Sequence, residues 1–210
     1  MCLFDDDDVD TIARYKSWPK DFTHKELIVP RLGYAGMHRY NNMLCEASSG
    51  NWLFLWNDDS RMVSPNWDNV IINEYRGQFV MLSPMNLNNV EYTREHCMFP
   101  ILPRKWFEIT GRLSPWQQTD TYLNRIAKPL NLFRFEDRIQ HEHGEVNAQG
   151  DNRIHDETTR EITYKSDLPL AEVKRDIRKM KRHLADCRWA GMKPATTLPG
   201  RWLNYLKSRF

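Results

Sequence analysis

The feature that most limits what this chain can fold into is the run Asn51-Trp52-Leu53-Phe54-Leu55-Trp56-Asn57-Asp58-Asp59-Ser60. Five consecutive apolar residues have the pattern of a strand buried on both faces, as at the centre of a parallel sheet. This one runs directly into two carboxylates and a hydroxyl. In open α/β sheets ligands collect beyond the carboxyl ends of strands, where paired acids hold a hard cation that in turn holds phosphate. Taken without its neighbours, Asn57-Asp58-Asp59-Ser60 reads equally well as a polar turn.

The same order, apolar residues then acids, occurs at Met1-Cys2-Leu3-Phe4 followed by Asp5-Asp6-Asp7-Asp8. A carboxylate run is ordinarily a solvated face, because like charges repel unless a cation or polar ligand lies among them. Its repetition is what points to a site. If both segments are parallel strands, Asp58, Asp59 and at least one of Asp5 to Asp8 emerge on one edge and line one cleft, with the strand ending at Trp56 in the middle of the sheet.

Between these segments, Asp10 or Thr11 caps a short helix that Pro19 stops, and Glu26-Leu27-Ile28-Val29 reads as a strand. It leads into a basic, glycine-containing loop with Arg31, Gly33, Tyr34, Gly36, His38 and Arg39, where backbone and cations can approach a diphosphate. Met37 to Ser48 has helical spacing. Met62 to Asn73 reads as loop then helix, with Trp67 as core or as a ligand contact, and Gln78 to Leu82 as another buried strand. Strand and helix therefore alternate, the pattern of an α/β layer protein with a mixed, mostly parallel sheet flanked by helices. Asn86 to His96 reads as a polar loop. Phe99 to Pro103 enters a helix that turns Trp106 and Ile109 inward and ends at Gly111.

Ser114-Pro115-Trp116 opens a helix on which Asp120, Leu123 and Ala127 share a face, aiming the carboxylate at the protein body or a cleft. An acid at a helix start also simply complements the helix dipole. His141 and His143 fall two residues apart, on one side of an extended chain, as surface histidines or as metal ligands. Asn147 to Asp156 is a polar loop containing His155. From Ser166 a helix begins, with Val173, Ile177, Met180 and Leu184 as its core stripe. Lys174, Arg175, Arg178, Lys179, Lys181 and Arg182 form a basic face, suited to solvent or to a polyanion. The expected organisation is one domain over 1–210, with an α/β core at 1–165 and a helical extension at 166–210.

The formal charge of +2 does not demand a nucleic-acid partner, and no apolar run reaches the length of a membrane span. Cys2, Cys45, Cys97 and Cys187 are scattered without a CxxC pair, which suits free thiols in a reducing, cytoplasmic setting, and the acidic amino end is unlike a signal peptide.

Leu3-Phe4-Asp5-Asp6-Asp7-Asp8, then Gly33-Tyr34-Ala35-Gly36-Met37-His38-Arg39-Tyr40-Asn41, then the apolar strand into Asn57-Asp58-Asp59, together resemble a family-two-like glycosyltransferase of the A-type (GT-A) fold. The later block from Phe99-Pro100 through Gly111 to Asp120-Thr121-Tyr122-Leu123 resembles that family's acceptor region. The likeness spans roughly Leu3 to His143; the family's usual first strand and helix have no counterpart, so the chain reads as an amino-truncated form. The resemblance implies a Rossmann-like nucleotide-sugar fold and inverting transfer of a sugar to an acceptor hydroxyl. It implies Asp5, Asp7, Arg31, Gly33, Tyr34, Arg39 and Asp58 around the nucleotide sugar. It further implies Mn2+ or Mg2+ on Asp59, with His141 or His143, and Asp120 as general base. The same acids and histidines suit a metal-dependent phosphoesterase, and a fold without its first layer suits a non-catalytic binding protein.

Overall fold

A computed structural model describes residues 1–18, 25–57, 59–143 and 168–189, and their strands form two sheets. The smaller sheet pairs β1 (Cys2–Asp5) in parallel with β2 (Glu26–Val29), Asp5 standing opposite Val29. The crossover between them carries α1 (Val9–Ser17), capped by Asp8, whose carboxylate accepts from the Thr11 amide at 3.3 Å. No residue of α1, β1 or β2 is fully buried. This unit is thin.

The larger sheet contains β3 (Trp52–Phe54), β4 (Ser60–Met62), β5 (Met81–Asn86), β6 (Ile101–Pro103) and β7 (Phe133–His143), in the order β3-β6-β5-β7-β4. Its helices are α2 (Met37–Ala47), α3 (Trp67–Glu74), α4 (Val90–Glu95), α5 (Arg104–Thr110), α6 (Thr119–Ala127) and α7 (Leu170–Trp189). The protein is thus α/β with mixed sheets.

Alternation along the strands sends successive side chains to opposite faces. Met81 and Leu102 join Trp106, Tyr122, Leu123, Ile126, Val173 and Met180 under α5, α6 and α7. Their sequence neighbours Leu82 and Ile101 join Val80, Ile139 and Ile71 under α3. Each fully enclosed side chain of this size contributes about 1.5–3 kcal/mol of burial. Inside the first layer Asp176 of α7 is completely buried, yet it is satisfied: the Tyr122 hydroxyl donates to it at 2.7 Å and Arg175 at 3.2 Å. Arg112 lies 3.7 Å from it and pairs with Glu172, so one ionic cluster fastens α7 to the α5–α6 layer.

Three sequence expectations need correction. The sheet is not mostly parallel: β3–β6, β5–β6 and β4–β7 are antiparallel and only β5–β7 is parallel. Continuous apolar runs report burial on both faces but carry no information about strand direction. The strand leading to Trp56 is at the edge, not the centre, and Trp56 is 37% exposed. Its apolar character serves a ladder of rings instead, Trp67–Phe54–Trp56–Phe99, with centroids 4.9–5.4 Å apart. Centrality belongs to β5. Finally, β1 and β3 do not share a sheet, so parallel strand ends are not what could bring their acids together.

Smaller differences follow the same logic. Residues 90–95 form α4 rather than loop, because Asn89 caps it by accepting from the Tyr92 amide at 3.2 Å. Ile101–Pro103 is strand before α5 begins, and Ser60–Met62 pairs with β7 although its pattern is polar. Trp106 is buried as expected, Gly111 closes α5, and the α7 stripe of Val173 and Met180 faces the core. All four cysteines are free thiols. The polar loop with His155, and the segment after Trp189, lie outside the described residues.

β5 carries Pro84, an unusual residue for a central strand because it cannot donate to a ladder. The register breaks right after it: Pro84 stands opposite Glu136, but Met85 stands opposite Gln140, leaving Asp137, Arg138 and Ile139 as a bulge on β7. Glu136 accepts from the Tyr75 hydroxyl at 2.6 Å, and Ile139 packs in the cluster that Tyr75 borders. An even-numbered and an odd-numbered residue therefore face the same side. The bulge exchanges the two faces of β7 before it reaches His141 and His143.

Candidate functional site

The amino-terminal acids are held by α2 and the glycine loop. Tyr40 of α2, itself buried, donates its hydroxyl to Asp5 at 2.5 Å and accepts from the Leu32 amide at 2.5 Å. Burial raises the pKa of this phenol, and the bond to Asp5 raises it further. Arg31 forks onto Asp7 at 2.7 and 2.9 Å and lies 3.6 Å from Asp5. The backbone that permits this includes Gly33 at φ 64° and Gly36, where an added Cβ would lie 2.4 Å from that of Leu32. Asp5, Asp7, Arg31 and Gly33 are thus neighbours; Tyr34 opens the 3-10 turn to Gly36, and Arg39 is exposed on α2.

The same helix reaches the start of α6. Next to Tyr40, Asn41 donates to the Thr119 hydroxyl at 3.1 Å. Asn42 accepts from the Leu113 amide at 2.7 Å and donates to the Ser114 carbonyl at 2.8 Å. Two successive polar side chains on α2, Tyr40 and Asn41, therefore link the Asp5 cluster to the residue preceding Asp120, and Asn42 fixes the 113–114 segment before it.

Asp120 lies in the first turn of α6 with its side chain 35% exposed, while Leu123 and Ala127 are buried beneath it. One of its carboxylate oxygens is 3.0 Å from His96 Nε2. The segment carrying His96 is fixed by Asn124, one turn along α6. Asn124 accepts from the Cys97 amide at 3.1 Å and donates to the Cys97 carbonyl at 2.8 Å and to the Asp120 carbonyl at 2.8 Å.

On the larger sheet, Asp59 approaches His143 Nε2 at 3.2 Å across the β4–β7 pairing. Asp59 is largely exposed and His143 mostly buried. His141, completely buried, faces the rings of Trp56 and Phe99 edge-on at 5.7 and 5.0 Å, and neither of its nitrogens has a hydrogen-bond partner. Burial, and next the nearby His143, push the His141 pKa down to about 4, so the imidazole is neutral at pH 7. A carboxylate and neutral imidazoles are the residue types that divalent ions take as ligands, and Asp59 and His143 are the pair in contact here. Among the described residues, no group of three or more His, Cys, Asp or Glu side chains converges for a metal, and Asp58 lies outside them.

Sequence reasoning missed His96, Asn124, Tyr40 and the α2 asparagines as parts of the site. His96 precedes Asp120 by 24 residues with no shared periodicity, and only the chain's return through β6 and α5 brings them together. The Asn41-Asn42 pair on a helix, a costly place for Asn, was the available signal.

No known family model matches the chain, and no curated protein matches it. No helix among the described residues is long and apolar enough to cross a membrane.

Proposed function

We propose that the chain is a metal-dependent glycosyltransferase of the GT-A type, moving a sugar from a nucleotide donor to an acceptor hydroxyl with inversion. The observation that carries this reading is the adjacency of Tyr40 and Asn41 on α2. One binds Asp5 and the other Thr119, so a nucleotide-facing acid cluster and an acid suited to general-base work are held by a single helix.

In this reading the Asp5, Asp7 and Arg31 cluster meets the nucleoside and its phosphates, with Gly33, Tyr34 and Arg39 along the loop and α2, and Asp58 is a further contact of the nucleotide sugar. Asp59 and His143, with His141 behind them, would hold Mn2+ or Mg2+. When bound, such an ion supplies Lewis-acid neutralisation of charge on the departing diphosphate. Asp120 takes the proton of the acceptor hydroxyl as its oxygen bonds to the anomeric carbon, while the bond to the diphosphate breaks and its electron pair leaves with phosphate. One base and direct displacement require no enzyme nucleophile.

Calorimetry with UDP, GDP, dTDP and ADP, with manganese and then with chelator, tests the donor half. Asp59→Ala should abolish manganese-dependent binding. Asp120→Asn keeps the shape but accepts no proton, and should cut transfer roughly 10²- to 10⁴-fold with diphosphate binding unchanged. Parental transfer by Asp120→Asn would remove the base from this reading.

A further inference from the structure

We infer that His96 is the positioning residue of the transfer reaction, orienting Asp120 through a hydrogen bond so that one carboxylate oxygen is committed and the other is presented to the acceptor hydroxyl. This rests on the glycosyl-transfer reading proposed above.

The contact is built rather than incidental. A surface acid in a first helical turn ordinarily samples several rotamers in water. Asp120 instead has one oxygen 3.0 Å from His96 Nε2, and the His96 side chain is only 20% exposed. The two partners are locked in register from behind, since Asn124, 3% exposed, spans the amide and carbonyl of Cys97 and the carbonyl of Asp120. Cys97 is fully buried, and the Tyr92 ring lies against the imidazole with centroids 5.0 Å apart. Neither α6 nor the 96–97 segment can shift without breaking a buried amide's bonds.

With Asp120 ionised, the contact is a hydrogen bond only when the proton is on Nε2, so His96 donates. A donor to one oxygen fixes the plane of the carboxylate and leaves the lone pairs of the other oxygen for the acceptor. In the chemical step the acceptor proton passes to that free oxygen, the acceptor oxygen bonds to the anomeric carbon, and the electron pair of the breaking bond leaves on the diphosphate. The His96 proton stays on its nitrogen. The contribution is therefore orientational, and misplacing a base by an ångström costs on the order of a hundredfold in rate.

The test compares the full chain with H96L and H96Q against a panel of UDP-, GDP-, dTDP- and ADP-sugars with manganese and methyl glycosides as acceptors. Melting temperature and calorimetric binding of the matching diphosphate are measured alongside. His96→Leu removes the donor and should lower kcat roughly ten- to a hundredfold, with donor KM, diphosphate affinity and melting temperature near the parental values. His96→Gln, which can donate from its amide, should recover most of the loss. A parental kcat in H96L overturns the inference, as does an H96Q variant no better than H96L. A fall in melting temperature and diphosphate affinity in proportion to kcat would make His96 merely structural. Consumption of no nucleotide sugar by the parental chain overturns the transfer reading itself, and the role of His96 with it.

Discussion

The two sheets carry acids by different means. In the five-stranded sheet, β5 and β6 are enclosed on both faces, and the acid buried beside them, Asp176, is paired within the core. In the two-stranded sheet nothing is fully buried, and Asp5 and Asp7 are held by Tyr40 and Arg31 reaching in from outside. One region derives its order from packing and the other from a few polar links to α2. A sheet edge thus needs no core of its own to be held when a neighbouring helix is already anchored, as α2 is through Asn41 and Asn42.

The same substitution in both sheets gives the sharpest contrast. Leu102 in β6 is completely buried, whereas Leu3 in β1 is only partly so. Leu102→Ala should cost about 2–5 kcal/mol in urea unfolding, against about 1 kcal/mol for Leu3→Ala. Equal losses would show that the small sheet shares the core and would end the comparison.

Acid should act next, and through the larger sheet. His141 has its pKa lowered to about 4 in the folded protein, while the unfolded chain titrates near 6.5. Between those values the unfolded state binds the extra proton, so stability falls as pH drops from 6.5 toward 4, by about 3 kcal/mol at most. The lowered pKa values of His38 and His183, both set mainly by burial, act in the same direction. Chemical denaturation of the parental chain and His141→Leu from pH 7 to 4 checks this; the variant's curve should be flatter.

The smallest effect belongs to the exposed Arg31–Asp7 fork. Arg31→Ala should leave the global unfolding midpoint close to the parental value, because exposed ion pairs add little to stability. If the fork holds the glycine loop, hydrogen exchange in residues 31–36 should rise although the unfolding midpoint hardly moves. A large midpoint shift would place the small sheet among the packed elements after all.

Much of the helical framework was legible in the sequence because periodicity and caps are local: α2, α3, α5 and α7 follow from apolar spacing and their flanking Gly or Pro residues. The two-residue spacing of His141 and His143 puts them on one side once the segment is extended, but nothing in the sequence announced the strand Phe133–His143 itself. Strand direction was not, since β6 returns antiparallel with only three residues, Ile101 to Pro103, to announce it. Nor was the edge position of β3, because aromatic residues packed edge-on and tilted against one another spell the same apolar run as residues enclosed by a sheet. His96 was hidden for want of any local pattern linking it to Asp120.

The bulge after Pro84 has a consequence for how this chain can vary. A strand is normally a single phase: inserting or deleting one residue inverts every position that follows. In β7 the phase is reset within Asp137, Arg138 and Ile139, so the half that serves the scaffold and the half that bears the imidazoles are set independently. Repacking around Phe133 and Phe135 can proceed without turning His141 and His143 to the wrong side. The bulge acts as a joint between the half of β7 that carries Phe133 and Phe135 and the half that carries His141 and His143.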